Sequence, residues 1–130
     1  MKIKVTTIYV DDVEKALHFY TEVLGFTKKN DFSQGGYRWL TVVTAEDPSG
    51  IELQLALNND PAAAAFQKSK FQQGQPAIML YSSDVKADYE QIKGRGAKFT
   101  MPPTDVTAST LAMVDDTGGH VVQLVQLNWG

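Results

Sequence analysis

The sequence predicts an α+β fold, one domain of 130 residues built from two tandem β-α-β-β modules. Three observations carry this reading. The signature Tyr9-Val10-Asp11-Asp12-Val13 returns as Tyr81-Ser82-Ser83-Asp84-Val85, with Asp12 and Asp84 72 positions apart (84 − 12). Each signature opens a helical stretch that ends at glycine, in Leu24-Gly25-Phe26-Thr27 and in Gly96-Ala97-Lys98-Phe99-Thr100. Each half then closes alike: Asp47-Pro48-Ser49-Gly50 leads into Ile51-Glu52-Leu53, and Asp116-Thr117-Gly118-Gly119 leads into Val122-Gln123-Leu124. A module of roughly 65 residues is marginal alone. It must bury its apolar face against its twin, and the concave space between two such units is where a ligand would sit.

Ile3, Val5, Thr7 and Tyr9 alternate with Lys2, Lys4, Thr6, Ile8 and Val10, as a strand covered in part on both faces does. Asp11 or Asp12 can cap the following helix, with Glu14 adding favourable charge near its N-terminus. Val13, Ala16, Leu17, Tyr20 and Leu24 recur at helical spacing and Gly25 stops the run. Residues 38–44 are rich in β-formers, residues 47–50 form a turn, and residues 51–57 return as a strand, with a further strand expected around 27–32. These make module 1, about residues 1–58. In the connector, about 59–75, Asp60-Pro61 starts a helix carried by Ala62 to Ala65, and Gln73-Gly74-Gln75-Pro76 ends it. Module 2, about 76–127, repeats the plan: a strand over 77–82, a helix capped by Asp84 and lined by Val85, Tyr89 and Ile92, then a hairpin of 110–114 and 121–127. Met101-Pro102-Pro103-Thr104 reads as loop, and the tail Asn128-Trp129-Gly130 carries no pattern.

Composition narrows the function classes. The net charge of −3, with 12 basic against 15 acidic residues, offers no footprint for nucleic acid, and no basic platform interleaved with aromatics emerges. No apolar run spans a bilayer, and Met1-Lys2-Ile3-Lys4-Val5 enters a strand pattern without a signal-peptide core, so a cytoplasmic protein with no membrane partner is expected. With no cysteine, disulfides, Cys-zinc sites and thiol catalysis are excluded.

The run from Tyr9 through Leu17-His18-Phe19-Tyr20 to Gly25-Phe26 resembles the opening of the vicinal oxygen chelate (VOC) superfamily. That group holds glyoxalase I, extradiol dioxygenases, methylmalonyl-CoA epimerases and the fosfomycin- and bleomycin-resistance proteins. Asp115 to Leu124 resembles the same group's closing turn and strand. The resemblance implies two βαβββ modules whose eight or so strands form a curved mixed sheet around a cavity, and a homodimer. It also implies where metal-using members place their ligands. Those positions fall here on Val5, Glu52, Ile78 and Gln123. One carboxylate, one amide and two hydrocarbons are too few donors for a divalent ion, so no cofactor is expected and a metal stands only as an alternative.

Period two puts Glu52, Gln54, Ala56 and Asn58 on the face opposite Ile51, Leu53, Leu55 and Leu57. Glu52 is therefore the sharpest candidate, a cavity carboxylate that would pair with a ligand cation or serve as the acid or base if there is catalysis. Gln123 faces Glu52 by the pseudo-symmetry and could orient a ligand. Of Tyr9, Tyr37, Trp39, Met79, Tyr81, Met101 and Met113, two or three are expected to reach the cavity, the rest serving as core. The candidate ligand-binding set is Glu52, Gln54, Gln123, Tyr9, Trp39 and Met113. His18 is expected on the surface, His120 in solvent at a hairpin turn, and Arg38 as a strand-edge charge. The function expected is metal-free, bleomycin-resistance-like sequestration of a small aromatic or amphipathic molecule. The alternatives are a lyase, isomerase or dioxygenase of the same fold, or a dimeric interaction domain without a ligand.

Overall fold

Ile8 and Val10 turn inward while Thr7 and Tyr9 turn outward, and the strand they make, β1 (Val5–Val10), opens the first unit of the chain, Met1–Ala65. The computed structural model describes residues 1–128; Trp129 and Gly130, the end of the patternless tail, lie outside them. Asp12 caps α1 (Val13–His18), its Oδ1 accepting from the Lys15 N–H at 3.1 Å. The helix then widens into a π-helical turn, Phe19–Val23, in which the Leu24 N–H donates to the Phe19 carbonyl at 2.9 Å. That turn buries Phe19, Tyr20 and Val23, and the Phe19 and Tyr20 rings meet edge to face at 5.3 Å. Three strands follow: β2 (Thr27–Gln34), β3 (Tyr37–Val43) and β4 (Glu52–Leu57). Gly35 and Gly36, both at positive φ, make the two-residue turn between β2 and β3, a backbone that residues with a Cβ rarely adopt. The sheet runs β1-β4-β3-β2, with β4 parallel to β1 and the other pairs antiparallel. Ile8, Val10, Leu40, Val42, Leu53 and Leu55 form the face that α1 covers, each fully buried aliphatic contributing about 1.5–3 kcal/mol.

Helix α2 (Pro61–Gln72) starts where Asp60 accepts from the Ala62 N–H at 3.0 Å and runs into the second unit, Phe66–Gly130. That unit repeats the first. It comprises β5 (Pro76–Tyr81), α3 (Val85–Gly94), β6 (Lys98–Val106), β7 (Ser109–Asp115) and β8 (Val121–Leu127), in the sheet order β5-β8-β7-β6. Asp84 caps α3 as Asp12 caps α1. Two βαβββ modules with two four-stranded mixed sheets make the fold α+β, as the repeat predicts.

One expectation about the strands fails. Met101 to Thr104 is not loop but the middle of β6. The prolines are tolerated because β6 is the edge of its sheet and both fall where the register shifts between Met101 and Thr104, so no ladder N–H is asked of them. Among the described residues, no helix is long and apolar enough to cross a membrane.

Candidate functional site

Residues paired across neighbouring strands project to the same side of a sheet, so the register assigns each candidate a face. In the first unit Glu52 pairs with Val5, Gln54 with Thr7 and Thr41, and Tyr9 with Ala56. Trp39 and Tyr37 alternate with Leu40 and so share the Thr41 side. Tyr9, Trp39, Glu52 and Gln54 thus occupy one face, the one α1 does not cover. Arg38 lies on the other, where it reaches Glu14 of α1.

Glu52 is 8 % exposed, and its Oε1 accepts from the Asn30 Nδ2 and the Thr41 Oγ1, each at 2.8 Å. No cation among the described residues pairs with it. Gln54, 7 % exposed, is engaged at both ends. Its Oε1 accepts from the Thr7 hydroxyl at 2.6 Å, and its Nε2 donates to the Tyr37 hydroxyl at 2.8 Å. Asn30 could not have been found from alternation, because a bulge between Lys28 and Asn30 shifts the register and turns it onto this face. Thr7 and Thr41 were not singled out from the sequence either, since it is the strand pairing that sets them beside Gln54.

In the second unit Gln123 pairs with Met79 on one side and Met113 on the other, and Met113 pairs with Met101. The opposite face carries Val122, Leu124, Ala112, Val114 and Phe99, the last stacked edge-on against Tyr89 of α3 at 4.5 Å. Tyr81 pairs with Val125 on the helix-free side. All seven aromatic and methionine candidates therefore lie on helix-free faces, because the helices claim the complementary set of strand positions and leave these outside. By register the twin of Gln123 is Gln54 and not Glu52: Thr7 and Thr41 flank Gln54 as Met79 and Met113 flank Gln123, both offsets being 72.

The donors do not fit a divalent ion. Val5, beside Glu52, offers only hydrocarbon, and Ile78 pairs with Val122 on the helix side, away from Gln123. Among the described residues no group of three or more His, Cys, Asp or Glu side chains converges.

His18 is exposed as expected. His120 is not in solvent. It is 8 % exposed, and its Nδ1 lies 3.1 Å from Oδ2 of the fully buried Asp116. Asp116 Oδ1 also accepts from the N–H groups of Gly118 at 2.8 Å and His120 at 2.9 Å, and the Gln67 Nε2 donates to the Gly118 carbonyl at 2.7 Å. The pair latches the turn, with Thr117 held at φ 61°. Arg38 forks onto both Asp31 oxygens at 2.9 Å and reaches Glu14. The hydrogen bonds Arg38 donates, to Asp31 first and then to Glu14, raise its pKa, and the same guanidinium lowers the Asp31 pKa below its ordinary 3.8. The cation serves α1 and the sheet, so no anion site remains there.

The family model of the "Glyoxalase/Bleomycin resistance protein/Dioxygenase superfamily" matches residues 2–124. The chain is 46 % identical over 126 residues to "Uncharacterized protein YurT" of Bacillus subtilis (strain 168), covering 97 % of this chain and 99 % of that one. It is 28 % identical over 125 residues to the "Probable lactoylglutathione lyase" of Vibrio cholerae serotype O1, with 93 % and 87 % covered. Among solved structures it superposes with a TM-score of 0.77 and 26 % identity on TnmS3, "an antibiotic binding protein from Streptomyces sp. CB03234", covering 98 % of this chain and 96 % of that one.

Proposed function

Because the chain belongs to the glyoxalase/bleomycin resistance protein/dioxygenase superfamily, we propose that it is a small-molecule-binding protein that holds a small aromatic or amphipathic ligand without turnover and without a resident metal. The observation that carries this reading is Glu52. A carboxylate more than nine-tenths buried, held by two neutral donors and by no cation among the described residues, lies on the same helix-free face as Tyr9, Trp39 and Tyr37. A cationic or hydrogen-bond-donating group with an aromatic body complements that face. The antibiotic-binding relative supports binding as the activity. The lyase relative favours a second reading, an enzyme of the same fold, but here three of the family's four metal positions carry hydrocarbon or amide and only Glu52 is a carboxylate.

The test is a thermal-shift screen of aromatic amines and amphipathic metabolites, run with and without zinc or nickel. A ligand at a hundred times its Kd stabilises the fold by about 2.7 kcal/mol. Glu52→Gln is expected to abolish most of that shift while barely moving the apo melting point. Lactoylglutathione lyase activity restored by added metal, with no ligand shift in its absence, would replace this reading with the enzymatic one.

A further inference from the structure

A single line of paired residues crosses the whole second sheet: Met79, Gln123, Met113, Met101. Three of the four methionines in the chain stand in it. The last joins only because the register shifts between Phe99 and Met101, which turns Met101 onto the side of Met113. The equivalent line in the first sheet reads Thr7, Gln54, Thr41, Asn30, with a register shift at the corresponding place in β2. Each line has a glutamine at the same position, and the two differ in what that glutamine does. Gln54 spends its carbonyl on Thr7 and its amino group on Tyr37. Gln123, 7 % exposed, has thioethers where Gln54 has threonines, and its amide makes no hydrogen bond to any described residue. Neither is its amide among the polar atoms sealed from outside without a partner.

We infer that this line is a binding surface for a flat, conjugated heterocycle that presents a lactam-type edge, an N–H beside a C=O. The chemistry follows from the two residue types. Thioether sulfur is soft and polarisable and lies against aromatic rings for about 0.3–1.5 kcal/mol per contact, and methionine adapts its shape to the ring it meets. A carboxamide offers one acceptor and two donors side by side, the mirror of a lactam edge. No ionisable side chain stands in the line, so the edge it reads is neutral. The inference rests on the reading that the chain binds small molecules, and it specifies which molecule the second unit selects.

Lumichrome, a planar tricycle with such edges, is the probe, and its 1,3-dimethyl derivative, which lacks the N–H groups, is the control. Fluorescence titration of the whole protein is expected to show the control bound at least about tenfold more weakly, the scale of one lost hydrogen bond. Gln123→Leu is expected to weaken lumichrome by a similar factor and to erase the preference between the two probes. Met79→Ala and Met113→Ala are expected to weaken both probes alike. Should Gln123→Leu unfold, Gln123→Met keeps the length and packing of the row while removing the amide. Equal affinity for the two probes, or a folded Gln123 variant that still prefers lumichrome, overturns the inference. So does absence of lumichrome binding in a protein that other compounds stabilise, an outcome that leaves the binding reading standing. Absence of any stabilising compound removes both.

Discussion

Asp31 and Asp116 are both hydrogen-bonded carboxylates, yet they belong to different physical regimes. Asp31 is held by Arg38 near the surface, and its lowered pKa makes it a source of acid-dependent stability. A depressed carboxylate contributes fully above its unfolded value, close to 3.8, and the contribution disappears as pH falls through the lower folded value. Arg38→Ala is therefore expected to flatten the acid limb of the stability curve below about pH 4, by less than about 1 kcal/mol since the pair is solvent-screened. Denaturant titrations from pH 5 down to pH 2 would check it, and an unchanged acid limb would speak against the ion pair. Asp116 has no exposed surface and accepts from two backbone N–H groups and an imidazole. Asp116→Ala leaves those donors buried without a partner and is expected to cost on the order of 3 kcal/mol. Asp116→Asn, which keeps an acceptor, should recover part of that loss in the same melts. Alternation put Glu52 and Gln54 on the face opposite Leu53 and Leu55, where the register has them. It could not place His120, whose burial depends on a carboxylate four residues earlier folding back over the turn.

At the scale of elements, the repeat shows which local devices both modules retain. Asp12 and Asp84 both leave the helix geometry at the first residue and accept from the N–H three positions on, at 3.1 and 3.0 Å. Asp12→Ala and Asp84→Ala should each destabilise by about 1 kcal/mol. That lowers Tm by about 4 °C in a domain of this size. A large difference between the two variants in calorimetry would mean that the caps are not equivalent. Helices, caps and the closing hairpins were legible because each has a local cause in residue type. Strand β6 was not, because its two prolines are read as a break unless the strand is known to be an edge, and edge position is a property of the sheet. The bulges that turn Asn30 and Met101 were hidden for the same reason: a register shift is defined by the partner strand, which the sequence does not order.

At the scale of the molecule, duplication is the feature the sequence states most clearly, and each half folds to the same strand order. Both sheets carry a large exposed apolar and aromatic contingent, Tyr9, Phe32, Tyr37, Met79 and Tyr81 among them. Surfaces of that kind are commonly covered by ligand or by a second chain. Homodimerisation is the expected outcome at tens of micromolar, an order-of-magnitude range for specific association. Light scattering coupled to size exclusion would read it, and a monomer mass there would count against it. Identity of the ligand was never legible, since it depends on which side chains cross-strand pairing brings into line.

The thioether line also exposes the chain to oxidants. Peroxide converts methionine to its sulfoxide, a polar and chiral group that methionine sulfoxide reductases can restore. Met79, 63 % exposed, would be attacked ahead of the half-buried Met101 and Met113. A soft apolar surface would then become a row of oxygen acceptors beside Gln123, suited to hydrogen-bond donors instead of conjugated rings. What the second unit holds would thus depend on the oxidation history of the molecule, and the change would reverse on reduction.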